Sequence, residues 1–257
     1  MTTEQAKQDI FKLVESETGY PVHVEADTSL RTISSVSAAG GVLPAHLIRY
    51  NPSRSRAVDY AICSQCGFIR RIFALPPPDR FDLASGYRGL KDVEKLVAEH
   101  LKGIGSGIRK EMREQLRDQM LGGLGVQLRS LPVGLRIGEW LTTDYPCLAD
   151  QQRESVQGEL NENMGILKPE IKRLAPEKIL NANVSMNAAF AAYWSRKWSD
   201  PLLTVPFKVS GHLASGEQLL SIWDELPKEP TADKQLIQAW GNALGIMDWF
   251  ELVPRRS

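Results

Sequence analysis

A chain of 257 residues with 31 basic and 31 acidic side chains has no formal net charge, which excludes a global electrostatic pull toward nucleic acid or an anionic membrane. With 42% hydrophobic and 24% charged residues it has the proportions of a folded chain with a core, and disorder, collagen and coiled-coil repeats are excluded. Its apolar-richest stretch, Ala57 to Leu75, is broken by Asp59, Gln65, Arg70 and Arg71, so no segment approaches the ~20 apolar residues that span a bilayer.

Thr3-Glu4-Gln5-Ala6 is a capping text, and Ile10, Phe11, Leu13 and Val14 follow at helical spacing until Gly19-Tyr20-Pro21, predicting an amphipathic first helix. Val22 to Glu25, Arg31 to Ala38 and Leu43 to Tyr50 read as three strands, expected to be antiparallel, separated by Asp27-Thr28-Ser29 and Gly40-Gly41. The Asn51-Pro52-Ser53 turn ends the third. From Ser55 the spacing of Val58, Ala61, Ile62, Ile69, Ile72 and Phe73 predicts a helix of about five turns. Pro76-Pro77-Pro78 cannot continue it, and a stiff exposed connection is expected over 76–86.

Beyond Tyr87 the pattern is almost wholly helical: 89–102, 106–121, 132–144, 150–166, 169–174, 177–198 and 231–245. Breaks are expected at Gly103-Ile104-Gly105-Ser106-Gly107 and at Gly122-Gly123-Leu124-Gly125. Leu203 to Val209 is strand-like and Gly216 to Glu225 helical. All six tryptophans lie in this part, which predicts a substantial core there. Asn181, Asn183, Ser185 and Asn187 interrupt the apolar face of 177–198, where amides can satisfy one another across a helix interface or meet a ligand. The expected class is α+β: a small N-terminal unit of helix, three-strand sheet and helix over 1–80, then a mainly α-helical portion over 81–257 that can share one core with it.

The order of helix, three strands and long helix, with His46-Leu47-Ile48-Arg49-Tyr50-Asn51-Pro52 followed by Asp59-Tyr60-Ala61-Ile62-Cys63-Ser64-Gln65-Cys66-Gly67-Phe68-Ile69, resembles the compact zinc metallopeptidases of the ImmA/IrrE-like kind. That family carries His-Glu-x-x-His on the corresponding helix, in a frame close to Ala-His-Glu-Leu-Gly-His. Gly67 falls on the family's glycine, the two zinc-binding histidines on Ser64 and Phe68, and the catalytic glutamate on Gln65. Two imidazoles four residues apart hold zinc from one helix face, and the carboxylate between them takes a proton from metal-bound water. Serine is a poor zinc ligand, phenylalanine is none, and an amide has no basicity, so the resemblance implies a catalytically inactive member. It further implies a regulatory, stress-response or phage-defence setting in a bacterial cytoplasm, no catalytic residues, no cofactor and a protein partner.

Other residues offer alternatives. Cys63 and Cys66 form C-x-x-C, but two turns inside a helix they lack the N-terminal dipole that activates redox pairs. With His46 and His100 they are the remaining candidates for an altered metal set, which would make the chain a metal-dependent hydrolase. Arg49, Arg54, Arg56, Arg70 and Arg71 form a local basic excess that could contact nucleic-acid phosphates. Three cysteines and no charged-then-apolar leader predict a reduced, cytoplasmic, non-membrane protein.

Overall fold

The computed structural model describes residues 1–102 and 110–255. The glycine-rich stretch at 103–107 lies outside the described residues. The architecture is α+β: an N-terminal helix, a three-stranded sheet and a second helix, followed by a mainly α-helical region. The chain divides into two compact units. Unit 1 contains Met1–Phe81 and Val133–Glu159 together with the last residues from Pro254, and unit 2 contains Asp82–Pro132 and Leu160–Val253.

In unit 1, helix α1 (Thr3–Thr18) begins with a reciprocal cap, Thr2 Oγ1 accepting from the Gln5 amide while Gln5 Oε1 accepts from the Thr2 amide. It ends at Gly19, whose φ of 76° is left-handed and suits a residue without Cβ. Strands β1 (Val22–Ala26), β2 (Ser34–Ser37) and β3 (His46–Tyr50) follow, in sheet order β1-β3-β2. The expectation of an antiparallel sheet holds only for β2 and β3. β1 runs parallel to β3, pairing Val22 with His46 and Ala26 with Tyr50. Burial explains the insertion of β3 between the others: His46 and Ile48 are fully buried, whereas β2 is half-buried throughout and β1 is exposed at His23, Glu25 and Ala26. Asn51 closes β3 with every polar atom satisfied, Nδ2 donating to the Thr28 and Leu30 carbonyls and Oδ1 accepting from the Ser53 amide and hydroxyl.

Helix α2 (Val58–Phe73) packs on α1, β2 and β3. Unit 1 is completed by the C-terminal part of helix α4 (Lys110–Asp144) from Val133 onward and by the N-terminal part of helix α5 (Ala149–Met164).

In unit 2, part of the expected connection at 76–86 is strand β4 (Phe81–Ser85), paired with β5 (Phe250–Pro254). Its partner stands at the far end of the sequence, out of reach of any local pattern. Helix α3 (Tyr87–Lys102) buries Val93, Val97 and Leu101. Helix α4 is continuous, without the breaks expected at Gly122 to Gly125 and before Pro132. Gly125 has a packing reason, since an added Cβ would lie 2.9 Å from Phe250 Cε1. The Pro132 carbonyl accepts from Trp223 Nε1 at 2.9 Å, an anchor in tertiary structure that propensity does not report.

Short helix α6 (Pro169–Leu174) precedes α7 (Glu177–Trp198), which is buried on nearly every side from Ile179 to Trp194, as a central core helix must be. Leu203 to Val209 is not a strand. Asp200 Oδ1 accepts from the Leu202 amide and opens a 3-10 turn, Pro201–Thr204, that leads into α8 (Val205–Val209). Helices α9 (Leu213–Glu225) and α10 (Asp233–Ala243) complete the unit. Trp194, Trp223, Trp240 and Trp249 are its largest buried side chains, and each contributes on the order of 2 to 3 kcal/mol. Trp140 instead belongs to unit 1.

Two glycines give opposite expectations. A Cβ at Gly216 would lie 2.6 to 2.7 Å from Ala188 and from the backbone of Ala188 and Ala189, whereas one at Gly122 would meet nothing within 4 Å. Gly216→Ala should destabilise the protein by about 1 to 3 kcal/mol, and Gly122→Ala should stabilise it by about 1 kcal/mol, both read from urea unfolding.

Candidate functional site

Helix α2 has no side-chain cap of its own at Ala57. One amide of its first turn is satisfied from α5, Gln151 Oε1 accepting from the Tyr60 amide at 3.1 Å; just before the helix Glu154 Oε1 accepts from the Arg56 amide at 3.3 Å and Ser55 Oγ from the Ala57 amide at 2.9 Å. Asp59, in the first turn, pairs with Lys7 Nζ at 2.8 Å and accepts from Gln151 Nε2. Residues some ninety positions away thus help to fix a helix end whose N-cap residue makes no side-chain cap bond.

Ser64 and Phe68, four residues apart, share one face of α2. Ser64 lies beside the buried Tyr60 phenol. Burial raises that phenol's pKa, and the Gln152 amide and Ser64 hydroxyl draw it back down. Gln152 is itself buried, donating to the Gly138 carbonyl and the Tyr60 oxygen and accepting from Thr142. Phe68 is half-buried against the α4 backbone, where a Cβ on Gly134 would sit 3.8 Å from its Cζ. Gln65 Nε2 donates to Ser34 Oγ on β2 at 3.0 Å, joining helix to sheet edge. Gly67 faces Ile137, and an added Cβ there would lie 2.4 Å from Ile137 Cγ2. Ser64, Gln65, Gly67 and Phe68 are therefore engaged in packing and in neutral hydrogen bonds.

The remaining candidate ligands do not assemble. Among the described residues no group of three or more His, Cys, Asp or Glu side chains is disposed to hold a metal ion. Cys63 and Cys66 are buried free thiols; burial pushes Cys63 up to about 12 and raises Cys66 as well, the opposite of an activated pair. His46 is fully buried, with the rings of Tyr20 and Phe73 set edge-on to it. Its Nδ1 accepts from the Ala39 amide at 2.9 Å, so Nε2 carries the proton toward Thr18 Oγ1, also at 2.9 Å. Burial, and then the Arg255 charge, lower its pKa from 6.5 to about 4. His100 belongs to unit 2, where its Nε2 is 2.7 Å from the Arg173 carbonyl.

The basic group is divided as well. Arg70 makes a two-point contact with Glu17, at 2.7 and 2.6 Å, and lies over the Trp140 ring. Arg49 stands 3.6 Å from Glu25, and Arg71 is also engaged. Arg54 and Arg56 are exposed. Gln151, Gln152 and Glu154 are the site residues that sequence reasoning missed, and α5 carries no local motif that would have marked them.

No family model matches the chain, and no curated protein or solved structure matches it.

Two measurements check this geometry. In native protein at pH 8 a thiol reagent should modify Cys147, which is partly exposed, quickly, and Cys63 and Cys66 only on unfolding. Because folding favours neutral His46, the unfolded chain binds the extra proton between the two pKa values. The contribution is complete above about pH 6.5 and is lost as pH falls toward 4, amounting to about 3 kcal/mol. Unfolding free energy should fall over that window, and less steeply in His46→Gln.

Proposed function

We propose that unit 1 is a metallopeptidase-like frame without the metal chemistry, and that the protein is a binding, adaptor or regulatory module that engages a protein partner. The observation that carries this reading is the engagement of Ser64, Gln65 and Phe68. In the frame these are the zinc and base positions, and here they contact Tyr60, Ser34 and the Gly134 backbone. A hydrolase built on this helix would need the Ser64–Phe68 face open to metal and water. Here the helix offers neither an imidazole nor a carboxylate at these positions, and its nearest thiols are held protonated by burial. The bacterial, cytoplasmic setting in stress response or phage defence is part of the same proposal and comes with the resemblance.

Elemental analysis of tag-free protein purified without added metal tests it. The expected result is far less than one zinc per chain, with no peptide hydrolysis that a chelator abolishes. Zinc near one per chain, lost together with hydrolysis in Cys63→Ala or Cys66→Ala, would overturn the reading in favour of an altered-ligand hydrolase.

A further inference from the structure

We draw no further inference here: the strongest candidate, the exposed apolar face that Leu202, Val205 and Val209 form on the 3-10 turn and short helix α8 after α7, carries nothing because the charges around it are of both signs and nothing in the structure shows what covers it.

Discussion

Helix α2 meets the C-terminal part of α4 at a distance only glycine allows, since a methyl on Gly67 would lie 2.4 Å from Ile137 Cγ2. Isoleucine is stiff at χ1 in a helix, so it cannot swing away to admit one. This approach brings Gly134 and Gly138 against the Phe68 and Tyr60 side of α2 and buries Gln152, with its hydrogen bonds, among them. The other sides of α2 are taken by α1 and by the sheet, which it reaches through Gln65 and Ser34. With its faces occupied and its first turn capped from α5, α2 serves as the structural axis of unit 1.

The same constraint gives the functional reading its physical content. A metal-bearing helix needs one face left open to solvent and lined with imidazole or carboxylate. Here that face carries Ser64 and Phe68, both half-buried, Ser64 beside the Tyr60 phenol and Phe68 beside Gly134. The polar groups nearby are neutral: the Tyr60 phenol is held protonated by burial, His46 is held neutral, and the Cys63 and Cys66 thiols are raised. The charged pairs Lys7–Asp59 and Arg70–Glu17 lie between α1 and α2 and tie the two helices together.

Local chemistry was legible in the sequence where a few neighbouring residues decide it. The Gly19 stop, the Asn51 turn and the spans of α6 and α7 all rest on near-neighbour hydrogen bonds or periodicity, whereas the α1 cap stands at Thr2, one residue before the Thr3 text that reads as capping. Amide pairing on α7 was one of two readings the sequence left open, and the structure pairs Asn183 with Asn187 and both residues with Gln127, a partner outside the local pattern. Long-range packing was not legible. The parallel β1–β3 pairing depends on which strand is most buried, β4 needs β5 from the far end of the chain, and the contacts of α4 at Gly125, Pro132 and Gly134 come from Phe250, Trp223 and Phe68, all distant in sequence. At the site, the sequence placed Ser64, Gln65, Gly67 and Phe68 on one helix. It could not show that α5 side chains cap that helix, or that Thr18 and Ala39 use both nitrogens of His46.

A double-substitution cycle at Gly67 and Ile137 tests the seating of α2 most directly. The account predicts that Gly67→Ala costs about 1 to 3 kcal/mol in the wild-type background. In Ile137→Ala, where the clash is gone, the same change should be neutral or stabilising by up to about 1 kcal/mol, as for an ordinary helix glycine. The same destabilisation in both backgrounds would show that the two residues are not in contact, and would contradict the arrangement on which the reading of unit 1 depends.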